Sequence, residues 1–153
     1  MTSIRFMIVL NTVQFNLGFT IEVIWNRMKL VTLYIPKEKT ESFHQWLCDK
    51  RNVNGEIKNL TNNPNDFLYI ESFSNWIDEL DKEDIYEINS LVGDFSSFTI
   101  HWRNNHNLFM FLSEINEIYS FVIDNDNWQK KINTELMKLN FEEFDKWILG
   151  KSE

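Results

Sequence analysis

Several residue types that often mark a functional site are scarce in this chain of 153 residues. Cys48 is the only cysteine, which excludes an internal disulfide bond and fits a reducing compartment. The four glycines are isolated, so no glycine-rich loop is present that could cradle a phosphate group. Alanine is absent, whereas Asn, Ile, Phe and Lys are abundant, a composition typical of an AT-rich bacterial or phage genome. We therefore expect neither a disulfide scaffold nor a nucleotide-binding loop.

Long apolar runs are also missing. No stretch approaches the roughly 20 apolar residues that a membrane-spanning helix needs. The apolar start over residues 1–11 is interrupted by Arg5, and no small-residue cleavage site follows it, so we expect no signal peptide. These features predict a cytoplasmic protein that does not bind a membrane.

Positive charge is the third deficit. The chain has 15 Lys and Arg against 23 Asp and Glu, a net charge of −8 at pH 7. Because proteins that bind nucleic acids normally carry a basic surface, direct nucleic-acid binding is not expected. The imbalance is local: residues 1–58 carry a net +3, residues 59–94 a net −8, and residues 95–153 a net −3. The middle quarter of the chain thus supplies the whole net charge.

The residues that are abundant indicate a folded protein. Hydrophobic side chains make up 43% of the chain and include six tryptophans, which is ample for a core. The length is that of one domain, and we find no repeat, low-complexity tract or flexible linker. We interpret residues 1–153 as a single globular domain.

Apolar residues occupy every odd-numbered position from Val13 to Trp25. One strand of that length would reach about 43 Å, well beyond the usual strand. A three-residue turn that ends at Gly18 would instead keep both strands in phase, because glycine suits the left-handed position of such a turn. A second turn at 26–28 then leads to a third strand. Residues 3–35 are therefore predicted to form a three-stranded antiparallel meander.

The remaining elements follow from helical or alternating spacing. Residues 107–123 fit either one helix or two strands. The other predicted elements are a helix from Pro36 to near Arg51, a short strand over 67–70, helices over roughly 75–80 and 82–92, a strand over 97–103, and a helical C-terminus with Trp128, Ile132, Leu136 and Leu139 on one stripe and a capping box at Asn140 and Glu143. Together these elements predict an α+β fold. One or two further strands extend the meander into a larger sheet, and the helices pack on one face of that sheet.

Candidate catalytic and metal-binding residues are few. His44 and Cys48 stand four residues apart on a predicted helix, but a zinc site needs further ligands, and nothing in the spacing of His101 and His106 demands that they supply them. Cys48 as a nucleophile would need an oriented base. Residues 124–127, DNDN, lack the glycine and closing glutamate of a calcium loop, and are better explained as negative charge before a helix. We expect no metal, no cofactor and no enzymatic activity.

Most tryptophans are predicted to be core residues, because they lie on apolar stripes or faces. These are Trp25, Trp46, Trp102, Trp128 and Trp147. Trp76 differs, since it stands in the most acidic part of the chain, where its amphipathic ring could serve a partner.

Residues 71–87, ESFSNWIDELDKEDIYE, form an acidic segment with seven carboxylates and one lysine. Helix geometry accounts for part of this charge. Asp81 is predicted to cap the helix over 82–92, and Glu83 and Asp84 lie in its first turn, where the helix dipole favours an anion by about 0.3–1 kcal/mol.

The other carboxylates of the acidic segment are not explained by capping. Asp78 and Glu79 fall in the last turn of the preceding predicted helix, where the dipole disfavours an anion. Glu83 and Glu87 form a like-charged i,i+4 pair that costs about 0.2–0.5 kcal/mol, and both are predicted to point outward. We interpret this concentration of charge as a surface for a basic protein, with a solvated helix face as the alternative. The predicted partner-binding residues are Glu71, Trp76, Asp78, Glu79, Asp81, Glu83, Asp84 and Glu87.

Three functions fit an acidic surface of this kind. The first is an inhibitor, most specifically a bacterial toxin-immunity protein that occludes the basic active site of a toxin such as a nuclease. The second is a phage or mobile-element anti-defence protein that mimics nucleic acid. The third is a small enzyme that uses carboxylates, which requires inward-pointing carboxylates around a pocket. The first function is the one we expect.

Overall fold

The computed structural model describes residues 29–51, 57–61, 66–72, 80–125, 127 and 129–150. The first two strands of the predicted meander and most of the predicted helix over 75–80 lie outside these ranges. The described part contains six strands and five α-helices. The strands are β1 Lys29–Pro36, β2 Ile57–Asn59, β3 Leu68–Ser72, β4 Phe95–Trp102, β5 Val122–Asp124 and β6 Lys130–Ile132. The helices are α1 Thr40–Arg51, α2 Lys82–Val92, α3 Asn105–Asn116, α4 Asn133–Leu136 and α5 Phe141–Ile148.

The described strands form one antiparallel sheet in the order β2–β3–β4–β1–β5–β6. β1 pairs with β4 along its whole length, from Lys29 opposite Trp102 to Pro36 opposite Phe95. Pro36 ends β1, and a short 3-10 turn then leads into α1. The predicted α+β class is confirmed.

The sheet has more strands than the predicted meander with its one or two additions. β2, β5 and β6 contain three residues each, which is too few for an alternating pattern to be visible in the sequence. Residues 107–123, which fitted a helix or two strands, form most of α3 followed by a turn and the start of β5.

One face of the sheet carries the main core. Alternate residues of β1 and β4 project from this face and are fully buried. Burial of such a large side chain stabilises the fold by about 1.5–3 kcal/mol. The strand residues concerned are Val31, Leu33, Ile35, Phe98, Ile100 and Trp102. Four helices cover this face through Phe43 and Leu47 of α1, Leu108, Phe111, Leu112 and Ile115 of α3, Leu136 of α4, and Phe144 and Ile148 of α5.

The opposite face holds a second apolar cluster, and here the structure differs from the expectation that helices pack on one face. Tyr34 and Phe95 have the strand parity opposite to the main core and pack with Val122 and with Ile88 of α2. Ile85 and Val92 complete the apolar stripe of α2 at helical spacing. α2 therefore lies on the other side of the sheet from the helices that cover the main core.

The ends of α2 and α5 lie where the capping residues in the sequence predict them. Asp81 caps α2 by accepting a hydrogen bond from the backbone N–H of Asp84 at 2.8 Å, and Gly93 follows the helix with φ of 74°. α5 begins with the predicted capping box between Asn140 and Glu143. Gly150 follows α5 with φ of 67°, and a Cβ there would collide with the Asn127 side chain.

The predicted helical stripe from Trp128 to Leu139 is wrong over residues 130–132, which form β6. Ile132 lies opposite Val122 in the sheet and packs beside the second apolar cluster, so strand pairing prevails over helical spacing. α4 begins only at Asn133. No helix in the described ranges is both long and apolar enough to cross a membrane.

Asn125 organises the turn between β5 and β6, where the sequence had suggested acidic residues before a helix. Its side chain is buried, donates to Gln129 Oε1 at 2.9 Å and to the carbonyl oxygen of Trp147 at 2.7 Å, and accepts from the backbone N–H of Asn127 at 3.1 Å. The Trp147 carbonyl lies in the last turn of α5 and also accepts from the backbone N–H of Gly150 at 3.0 Å. Asn125 thus joins the turn to the end of α5.

We expect Asn125→Ala to lower the free energy of unfolding by about 1–3 kcal/mol, because it removes the hydrogen bonds by which one buried side chain joins the β5–β6 turn to α5. Urea denaturation followed by tryptophan fluorescence measures this change. Asn89→Ala on the exposed face of α2 is the control and should shift stability by less than about 0.5 kcal/mol. Equal effects of the two substitutions would show that the Asn125 contacts contribute nothing to the fold.

Candidate functional site

The described residues of the acidic segment lie on two different elements. Glu71 belongs to β3, whereas the other four stand at the N-cap of α2 or within it. Those four are Asp81, Glu83, Asp84 and Glu87. Trp76, Asp78 and Glu79 lie outside the described residues, so their predicted role stays a prediction.

Two carboxylates of α2 bind a lysine of the sheet. Lys130 Nζ lies 2.5 Å from Asp84 Oδ1 and 3.2 Å from Glu87 Oε2. The Lys130 side chain is only 5% exposed, and Asp84 is 15% exposed. Asp124, which lies opposite Lys130 in the β5–β6 pair, adds a third negative charge nearby. Part of the acidic segment therefore neutralises an internal cation instead of facing solvent.

The pKa of Lys130 reflects these surroundings. Burial of the ammonium group lowers its pKa, but the hydrogen bonds to Asp84 and Glu87 and the charges of Asp124 and Asp84 raise it, and the net result is a pKa above the usual 10.5. The neighbouring carboxylates thus stabilise the charged form of a lysine that water barely reaches.

Glu71 is engaged in a separate pair. Its Oε2 lies 3.4 Å from Nε2 of His101, and the two side chains are 21% and 16% exposed. The β3–β4 register places Tyr69 opposite His101 and Glu71 opposite Thr99, so the pair is a diagonal contact across two strands. Glu71 is separated from β6 by β4, β1 and β5. The described carboxylates of the acidic segment consequently do not form one continuous site.

The solvent side of α2 presents an aromatic residue between carboxylates. Tyr86 and Glu87 are each three or four residues from both Glu83 and Ser90, and the four residues form the outer face of α2. Tyr86 is 78% exposed, and the Glu87 side chain is 54% exposed even though it also contacts Lys130. Leu91, 40% exposed, borders this face.

Tyr86 and Lys130 were both missed at the sequence level. The positions of Glu83 and Glu87 already indicated an outward face, and Tyr86 lies between them, so its exposure could have been read from the helix wheel. Lys130 could not have been found in this way, because its partners Asp84 and Glu87 are more than forty residues distant along the chain.

The candidate metal ligands do not assemble into a site in the described ranges. No group of three or more His, Cys, Asp and Glu side chains there could hold a metal ion. His44 packs against the ring of Phe98, and His106 against that of Phe141. Cys48 is partly buried on α1.

Two of the predicted core tryptophans pack at the edge of the main core, and a third lies inside it. Trp102 is 1% exposed, and its Nε1 donates to Asn105 Oδ1 at 2.8 Å. Trp46 and Trp147 pack against the main core and are partly buried. Trp25 and Trp128 lie outside the described residues.

No protein-family model, no curated protein and no solved structure matches the chain.

We expect Lys130→Met to lower the free energy of unfolding at pH 7 by about 3–5 kcal/mol, because it leaves Asp84 and Asp124 largely buried without their cation. Lys131→Met is the matched control. Lys131 lies 5.8 Å from the Trp147 ring centroid, so its loss should cost less than about 1 kcal/mol. Urea titrations of the three proteins test this expectation, and a Lys130→Met protein as stable as the control would contradict it.

The raised pKa of Lys130 also predicts a dependence on alkaline pH. A folded-state pKa above the unfolded value means that the stabilisation is complete below about pH 10.4 and is lost as the pH rises through the folded pKa. The wild-type protein should therefore lose more stability than Lys130→Met between pH 9 and about 12. Parallel losses in urea titrations at each pH would show that Lys130 is not stabilised in its charged form.

Proposed function

We propose that this protein binds a basic surface of another protein through the outer face of α2, and acts by covering that surface. In its most specific form it is a bacterial immunity protein that neutralises a cognate toxin, such as a nuclease, by occluding a basic active site. The observation that carries the proposal is Tyr86, 78% exposed on α2 between Glu83 and Glu87.

An exposed tyrosine between carboxylates suits the recognition of arginine and lysine. Tyrosine is enriched among the residues that dominate binding energy, because its ring buries a large area at a small cost in conformational entropy. The ring face attracts a guanidinium or ammonium group, and the adjacent Glu83 and Glu87 can pair with the same cation. Together these side chains offer both apolar contact and charge to a basic partner.

The net charge of the chain supports the same proposal. A charge of −8 raises the rate of encounter with a basic protein and lowers it for an acidic one. Wild-type association should accordingly slow as salt increases, since ions screen exposed charges over about 8–10 Å.

The internal pairs narrow the set of residues that serve recognition. Asp84 is occupied by Lys130, Glu71 by His101, and Asp81 by its hydrogen bond to the backbone N–H of Asp84. Among the described contacts of α2, Glu83 takes part in no ion pair or capping hydrogen bond of this kind. The Glu87 side chain is more than half exposed. Within the predicted set, we assign the main electrostatic role to Glu83 and Glu87.

The alternative function, mimicry of nucleic acid, would use the same carboxylates. It differs from the immunity function only in the partner, which would be a defence enzyme that acts on nucleic acid. The product of the gene next to this one is the first protein to test as a partner. Its activity, toxin or otherwise, separates the immunity function from mimicry.

We expect Tyr86→Ala to weaken capture of that partner by about 2 kcal/mol or more, and Glu83→Lys to slow its association. Biolayer interferometry at two salt concentrations measures both effects. Glu83 is preferred to Glu87 for charge reversal, because Glu87 also contacts Lys130.

Glu142→Lys supplies the matched control for the charge reversal. Glu142 is also an exposed glutamate in the first turn of a helix, with a side chain 80% exposed, but it lies on α5, on the other side of the sheet. Its reversal should leave capture almost unchanged. If Tyr86→Ala and Glu83→Lys both bind as the wild type does, the outer face of α2 is not the binding surface.

A further inference from the structure

α2 contributes fewer fully buried apolar side chains than α1, α3 or α5. It contributes one fully buried side chain, Ile88, to the second apolar cluster, and Ile85 and Val92 are only partly buried. α3 alone contributes four buried side chains to the main core. The two clusters lie on opposite faces of the sheet, so the buried side chain of α2 is not part of the main core.

Lys130 adds an electrostatic contact to the few apolar contacts between α2 and the sheet. The aliphatic part of the Lys130 side chain extends from β6. Its ammonium group contacts Asp84 in the first turn of α2 and Glu87 one turn later. Two successive turns of the helix are thereby tied to the edge strand of the described sheet. The helix ends at Gly93, whose φ of 74° makes a sharp exit toward β4.

We propose that Lys130 is a latch, and that α2 is a separately releasable helix which opens from the sheet when this latch is broken while β1 and β4 stay paired. Opening would uncover the second apolar cluster, in particular Tyr34, Phe95 and Val122. The chain thus holds a concealed apolar surface beneath a helix that a single buried cation keeps in place. This device does not depend on what the outer face of α2 binds.

Native-state hydrogen exchange, followed by NMR in low concentrations of urea, tests the latch. In the wild-type protein the amides of α2 should open with a lower free energy than those of β1 and β4, and with a weaker dependence on urea, because a local opening exposes less surface than global unfolding. Equal opening energies and equal urea dependence for α2 and β4 would overturn the proposal.

Substitutions then connect the opening to Lys130. Lys130→Gln should reduce the protection of Ile85–Val92 by at least about tenfold, because the contacts of Lys130 with Asp84 and Glu87 are broken when α2 opens. The protection of β4 should fall by a similar factor, because global unfolding breaks the same contacts. Lys131→Gln, next in the chain, should leave α2 protected as in the wild type. If Lys130→Gln lowers the protection of β4 but leaves that of α2 unchanged, or lowers neither, Lys130 is not a latch.

A milder pair of variants covers the case in which Lys130→Gln does not fold. Asp84→Asn removes one carboxylate of the latch, and Glu83→Gln removes the same charge from the adjacent exposed position in the first turn of α2. Loss of α2 protection in Asp84→Asn but not in Glu83→Gln supports the proposal. The same loss in both variants would assign the effect to the helix dipole and would overturn it.

Discussion

Lys130 keeps a positive charge almost wholly out of water, and it can do so only because Asp84, Glu87 and Asp124 surround it. Removing an ammonium group from water costs several kcal/mol unless good partners replace the solvent. That requirement links three parts of the chain that are distant in sequence: the β5–β6 hairpin, the first two turns of α2, and the second face of the sheet. The position of α2, and with it the direction in which its other side chains point, follows from this contact and from the apolar stripe that contains Ile88.

The same contact gives the acidic segment two roles. Asp81 and Asp84 belong to the construction of α2, one as its cap and one as the partner of Lys130. Glu83 and Tyr86 point to solvent on the outer face of α2, and Glu87 takes part in both. The charge concentration in the sequence is therefore partly structural, and the proposed recognition surface is smaller and more aromatic than the sequence had indicated.

Local signals in the sequence predicted the parts of the fold that depend on local physics. The bounds of α2 and the capping box of α5 rest on side chains that bond to the backbone within three residues, and both are confirmed. β6 and Lys130 depend on pairing with residues far away in the chain, which periodicity does not encode, and both were missed. Tyr86 was also missed, although helical spacing places it with Glu83 and Glu87 on the outward face of α2.

The division of the acidic segment between an internal and an outward role is the central claim, and a pair of double-mutant cycles tests it most directly. The free energy of unfolding of Lys130→Met, Asp84→Asn, Glu83→Gln and the corresponding double variants gives the coupling of Lys130 to each carboxylate. A coupling of about 0.5–3 kcal/mol is expected for residues in direct contact and almost none for residues that do not interact. The structure predicts the first result for Lys130 with Asp84 and the second for Lys130 with Glu83. Similar coupling energies for the two pairs would contradict it.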